Sequence, residues 1–220
     1  MSSWPRLVMA GDAALIVEFE ERIDEAINRR GQMLAASITA QCIGGVLDVV
    51  PTFRSVAVYF DPLETDVDAL RGTLAADIER VRPVEAGDTI EHRRHRVPVK
   101  YGGEAGPDLS AVAEWAKLSE DEVIARHHGR EYQVFMLGFM PGFAYLGTVD
   151  ERIAAPRLDT PRASVPAGSV AIAGRQGGIY PSDTPGGWRI LGRTPVTVFD
   201  IQREDPFLFA PGDIVQFVPM

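Results

Sequence analysis

Apolar positions along this chain follow helical spacing in places and strand spacing in others, and the balance shifts near its middle. Residues 6–9 and 14–19 are short apolar runs flanking Gly11-Asp12, and they read as a hairpin. Asp24 stands where a helix cap is wanted. Behind it, Ile23, Ile27, Leu34 and Ile38 fall roughly on one face of a helix reaching about Gln41. Residues 46–50 and the alternating run SVAVYF at 55–60 predict two more strands around a Pro51-Thr52 turn. Asp66 opens a second helix carrying Val67, Leu70, Leu74 and Ile78, which ends before Pro83. The order ββαββα predicts a sheet with helices on one face.

Residues 83–92 (PVEAGDTIEH) are polar and turn-prone, and they read as a linker. Beyond them, 94–100 predicts a strand and Tyr101-Gly102-Gly103-Glu104 a loop. Asp108 is placed to cap a short helix to Ala116. Ser119 and Glu122 form a capping-box pattern for another helix to about His128. From Tyr132 onward short strands alternate with Gly/Pro turns and no further helix is needed, the pattern of a β-barrel or sandwich. No internal repeat or low-complexity segment occurs.

Composition narrows the partners. With 220 residues, 45% hydrophobic and 24% charged, the chain has the make-up of a soluble globular protein. Its net charge of −9 argues against nucleic acid or an anionic membrane surface, which require a basic footprint. The helix pair 108–128 has the outline of a helix-turn-helix, but Asp108, Glu114, Glu120, Asp121 and Glu122 outweigh Lys117, Arg126 and Arg130. No apolar run has the length of a membrane span. Cys42 is alone, so a disulfide framework and a cysteine metal cluster are excluded; it reads as a buried small hydrophobe in a reducing cytoplasm.

Candidate chemistry concentrates late in the chain. The segment 161–195 gathers Gly168, Gly174, Gly177, Gly178, Gly186, Gly187 and Gly192 with Pro166, Pro181 and Pro185. Gly and Pro oppose a helix there. The interleaved Val165, Val170, Ile172, Ile179 and Ile190 make short strands, so a rigid, turn-rich surface is expected. Phe143 and Tyr145 flank Ala144 in the run FMPGFAYLG and read either as a core hairpin or as an aromatic wall beside Trp188. Arg162, Arg175, Arg189 and Arg193 offer forked donors for a carboxylate or phosphate. Arginine is nevertheless the habitual cation here, since only Lys100 and Lys117 are lysines. His92, His95 and the adjacent His127-His128 lack the spacing of a metal site, because neighbouring histidines on a helix point apart; no metal is expected. His128, just ahead of the Tyr132 strand, is placed to reach the mouth of a β-domain. Phosphate loops of the GxxxxGK[ST] type, GxGxxG, GxSxG and HExxH are absent.

Four blocks carry a resemblance: VPTFRSVAVYFDP (50–62), VPVKYGGEAGPDL (97–109), LGFMPGFAYLG (137–147) and VPAGSVAIAGRQGGIYPSDTPGGWRILGRTP (165–195). Together they resemble the KipI family, which comprises the B subunit of the prokaryotic 5-oxoprolinase, also called allophanate hydrolase subunit 1, the carboxyltransferase-domain subdomains C and D. The resemblance implies an α+β chain with a ferredoxin-like domain at 1–85 and a cyclophilin-like β-barrel at 92–220. It further implies two partners, the KipA-like C subunit of 5-oxoprolinase and its lactam-hydrolase-type A subunit, with ATP consumed by the complex and this chain inactive alone. The activity implied is ATP-dependent opening of 5-oxo-L-proline to L-glutamate. Two alternatives accompany it: a urea-amidolyase-type carboxyltransferase subunit working with biotin, and an inhibitor of a sensor histidine kinase. On this footing Arg175, Gln176 and His128 are the expected catalytic residues. Phe143, Tyr145, Gly174, Tyr180, Pro181, Gly186, Gly187, Trp188, Arg162 and Arg193 are the expected substrate-binding set. Substitution of Arg175 or Trp188 is expected to impair activity far more than folding.

Overall fold

The apolar spacing of the first third resolves into two hairpins, each followed by a helix. The computed structural model describes residues 4–81 and 93–220, and the linker expected at 83–92 lies outside the described residues. The chain divides into two compact units, 1–90 and 91–220. In the first, β1 (Arg6–Met9), β2 (Ala14–Glu18), β3 (Val46–Pro51) and β4 (Ser55–Phe60) form an antiparallel sheet in the order β1-β2-β4-β3. Because β4 is antiparallel to both neighbours, β2 and β3 run parallel with β4 between them. The connection β2–α1–β3 is therefore a split β-α-β unit.

Helices α1 (Glu25–Ala40) and α2 (Val67–Arg80) pack on the sheet through Ile27, Leu34, Ile38, Leu70 and Leu74 against Leu15, Val17, Val56, Val58 and Phe60. Asp24 caps α1 as its position demands, accepting hydrogen bonds from the Ala26 and Ile27 amides. Two expectations are corrected. Ile23 precedes the helix and is exposed rather than on the buried face. Cys42 is also exposed, in a positive-φ turn just past α1, because the helix ends before it can turn inward.

The second unit contains β5 (Arg94–Tyr101), α3 (Leu109–Ala116), α4 (Glu120–His128), β6 (Glu131–Leu137), β7 (Ala144–Gly147), β8 (Arg162–Val165), β9 (Ser169–Ala173), β10 (Gln176–Ile179), β11 (Thr184–Gly186), β12 (Arg189–Arg193) and β13 (Ile214–Pro219). Seven of these strands close a barrel in the order β10-β7-β6-β13-β5-β12-β9, while β8 and β11 form a separate ribbon. Strand β13 lies between β5 and β6, parallel to the first and antiparallel to the second. Inward residues such as Val97, Val99, Val134, Leu146, Ile172 and Phe217 fill the barrel, and Leu109, Val112 and Val123 bring α3 and α4 onto the same core. A short 3-10 turn, Glu151–Ile153, is the one helical feature described after α4.

The two helices begin differently. Ser119 and Glu122 complete the predicted capping box of α4. Asp108 precedes α3 as expected, yet its carboxylate makes no cap bond. It turns instead toward β12 and β8, accepting from the Ile190 amide at 2.7 Å and from Arg162 Nη2 at 2.7 Å. A buried carboxylate is stabilised more by a cation than by a cap bond.

Candidate functional site

Phe143 is the hub of the site. Its ring lies edge-on to those of Phe139, Tyr145, Tyr180 and Trp188, with centroids 5.5, 4.9, 5.2 and 5.4 Å away. The strands explain the convergence. β7 and β10 pair antiparallel with Tyr145 opposite Gly178 and Ala144 opposite Ile179, which brings Phe143 level with Tyr180. The β11–β12 connection then lays Gly187 and Trp188 over them. Gly178 makes this stacking possible: a Cβ there would stand 2.8 Å from Phe143 Cζ and 3.1 Å from Trp188 Cζ3. Gly186 likewise leaves room for Tyr180, whose hydroxyl would lie 2.5 Å from an added Cβ.

These rings wall a pocket of about 260 Å³, completed by Arg157, Pro161, Pro185, Gly186 and Gly187. The Arg157 guanidinium carbon sits 5.7 Å from the centroid of Trp188, within cation–π range. Burial raises the Tyr180 phenol above its ordinary pKa, while the Trp188 amide, Arg157 and Arg162 oppose the shift. Tyr145 is raised by burial too, again against Arg157. Both phenols are therefore protonated at neutral pH. The site offers aromatic faces, hydroxyl donors and one guanidinium, a set suited to a small planar ligand carrying an anionic group.

The predicted residues divide by position. Phe143, Tyr145, Tyr180, Gly186, Gly187 and Trp188 come together in this pocket. Arg162 is opposite Gly186 in the β8–β11 ribbon, but its guanidinium is turned to Asp108. Gly174, Arg175 and Gln176 are at the other end of β10: Gln176 pairs with Gly147, three rungs from the Ile179–Ala144 rung beside the pocket. About 3.3 Å per residue places that turn roughly 10 Å away along the strand. Arg175 there is exposed and paired with Glu151 at 2.7 Å. Pro181 and Arg193 line a different cleft. His128 ends α4, half-buried and absent from the pocket lining. Its neighbour His127 is the buried one, bonded through Nδ1 to the Tyr101 hydroxyl at 2.7 Å and stacked on Phe217. Burial holds His127 neutral, its pKa lowered to about 3. Trp188 is 5% exposed and belongs to a core cluster with Val165, Ala171 and Ile190. It therefore belongs to the folded core as well as to the site.

Sequence reasoning missed Arg157 and missed Asp108 as a strand clamp. Arg157 carried little signal in a chain whose basic residues are nearly all arginine. Asp108 was legible only as a helix cap. Among the described residues no group of three or more His, Cys, Asp or Glu is placed to hold a metal ion, and no helix is long and apolar enough to cross a membrane.

A mixed α/β unit followed in sequence by a seven-stranded barrel is the architecture of a known domain class. Residues 5–209 match the family described as carboxyltransferase domain, subdomain C and D, and the chain belongs to that family. It is 43% identical to the B subunit of 5-oxoprolinase from Bacillus subtilis (strain 168), over 94% of this chain and 90% of that one. The B subunit of 5-oxoprolinase from Escherichia coli O157:H7 is 39% identical, with 97% and 95% covered. The fold is also that of a segment of the Kluyveromyces lactis urea amidolyase, at TM-score 0.78 and 20% identity, covering 97% of this chain and 15% of that one.

Proposed function

We propose that this chain is the B subunit of an ATP-dependent 5-oxoprolinase, opening 5-oxo-L-proline to L-glutamate in the cytoplasm. Its partners in that reaction are the KipA-like C subunit and the lactam-hydrolase-type A subunit. The observation that carries this reading is end-to-end kinship with the 5-oxoprolinase B subunits of two bacteria, at 43% and 39% identity. The pocket supports it. 5-Oxoproline is one five-membered lactam ring with a carboxylate, and a cavity of about 260 Å³ suits a ligand of that size better than a nucleotide. Phe143 and Trp188 pack the ring faces, Arg157 takes the carboxylate, and the Tyr180 hydroxyl donates to the ring carbonyl oxygen.

A lactam is a poor electrophile. Transfer of the γ-phosphoryl group of ATP to its carbonyl oxygen, with ADP leaving, makes the ring carbon attackable. Water adds there, the C–N bond breaks with the nitrogen taking a proton, and a second water releases phosphate from the acyl phosphate. Within this scheme the aromatic walls hold the ring dry and oriented, and arginine and hydroxyl donors stabilise charge growing on the oxygen.

In the same reading, residues 1–85 form a ferredoxin-like domain and 92–220 a cyclophilin-like barrel. The sheet order β1-β2-β4-β3 supports the first name as a circular permutation, the strand that ends the βαββαβ pattern standing first. The deciding experiment is co-expression with the two partner chains followed by measurement of 5-oxoproline-dependent ADP release. Activity is expected of the three-chain complex and not of this chain alone. Release that depends on urea and biotin instead would transfer the reading to a urea-amidolyase-type carboxyltransferase, the alternative suggested by the likeness to urea amidolyase.

A further inference from the structure

A second cleft, of about 620 Å³, opens on the outer wall of the barrel between β5, β12 and the loops around 167, 181 and 195. Its chemistry differs from that of the aromatic pocket. In β5 the inward residues Val97 and Val99 are buried, so Lys100 points outward. Register sets Arg193 of β12 directly opposite Lys100, and both line the cleft. Like charges facing each other across an antiparallel ladder are destabilising. An acidic chain of net charge −9 with only two lysines has nevertheless placed one of them against an arginine.

Neither cation is neutralised internally. Glu104 lines the same cleft, yet neither Lys100 nor Arg193 forms an ion pair among the described residues. Arg193 Nε donates to the Ala167 carbonyl at 2.8 Å, which fixes the guanidinium and leaves its Nη groups for another acceptor. Around the pair, Val196, Pro195, Pro181 and Ala105 supply apolar walls, and Thr197 a hydroxyl.

We infer that this cleft binds a small organic phosphate, its phosphoryl group bridging Lys100 and Arg193 and its carbon skeleton resting on Val196 and Pro195. Two adjacent cations match the roughly two negative charges of a phosphate monoester, whereas a carboxylate answers only one. Arginine supplies the fork and lysine the point charge. The inference is independent of the reaction assigned above, because it is read from binding and not from turnover.

The test is calorimetric titration of the purified full chain with AMP, inorganic phosphate and glutamate, repeated with Lys100→Met, Arg193→Gln and the double variant. AMP is expected to bind and phosphate to compete with it. Each single substitution should weaken AMP by roughly tenfold, the loss of one charge-assisted bond, and the double variant should not bind. Without ligand, both single variants should melt at or above the parent's temperature, because the facing charges are gone. Three results would overturn the inference: no binding of AMP or phosphate by the unaltered chain, tighter binding of glutamate than of AMP, or AMP binding retained by the double variant.

Discussion

Asp108 joins two elements through one carboxylate: Oδ1 holds Arg162 Nη2 at 2.7 Å and Oδ2 holds the Ile190 amide at 2.7 Å. The first bond anchors the β8–β11 ribbon, and the second fixes β12 two residues after Trp188. Both borders of the pocket's glycine lip therefore depend on one side chain, which is itself nearly buried.

Asp108→Ala is expected to destabilise the chain by about 3 kcal/mol, since it strands a largely buried guanidinium and a buried amide. Urea unfolding at neutral pH measures it. A loss below about 1 kcal/mol would mean that the pair contributes no more than a surface ion pair.

Gly178→Ala places a methyl where Phe143 and Trp188 already meet. The rings must separate, at a cost of about 1–3 kcal/mol, and the pocket should lose its shape. Tryptophan fluorescence in a background lacking Trp4 and Trp115 reports the displacement. An unchanged spectrum with parental stability would show that the rings yield freely.

Arg157 and Arg175 should behave as opposites. Arg175→Ala breaks only an exposed pair with Glu151, so stability should stay within about 0.5 kcal/mol and ligand affinity at the aromatic pocket should not move. Arg157→Gln should lower affinity for 5-oxoproline roughly tenfold. It should leave 2-pyrrolidinone, which lacks the carboxylate, unaffected. Equal effects on both ligands would remove Arg157 from carboxylate recognition.

His127 sets an acid limit. Unfolded, it protonates near its ordinary pKa of 6.5; folded, burial holds it neutral down to about 3. The unfolded state thus binds the extra proton, and stability is lost as pH falls from 6.5 toward 3. Between pH 6.5 and about pH 5 the loss is about 2 kcal/mol. His127→Phe should flatten that slope, whatever its own stability. A slope identical to the parent's would assign the acid sensitivity to other groups.

The first unit was legible because its signals are local. Caps at Asp24 and Asp66 and alternation in Ser55–Phe60 depend on neighbours a few residues away, and the structure places those elements accordingly. The pocket was half legible: Phe143, Tyr145 and Trp188 stand out by size and by the glycines around them. What pattern did not disclose is which end of a strand faces the site. Arg175 and Tyr180 lie five residues apart around β10, and only the pairing of Gln176 with Gly147 shows that Arg175 occupies the far turn. Asp108 failed for a related reason, since its partners come from residues 162 and 190. His127 and His128 are adjacent in sequence, and helix phase alone decides which is buried.

Among the described residues the final strand, β13, is inserted between two of the earliest strands of its unit, β5 and β6. During synthesis the barrel cannot close until residue 219 has been made, whereas the elements of the first unit are complete by about residue 80. Domains emerging N-terminus first fold as units, and long-range strand pairing is slow. For the interval in which residues 93–213 exist without their closing strand, β5 and β6 present open edges, and a truncated product would keep them. Termination ahead of β13 therefore leaves two open sheet edges in place of a shortened barrel, the kind of edge that templates pairing with another chain.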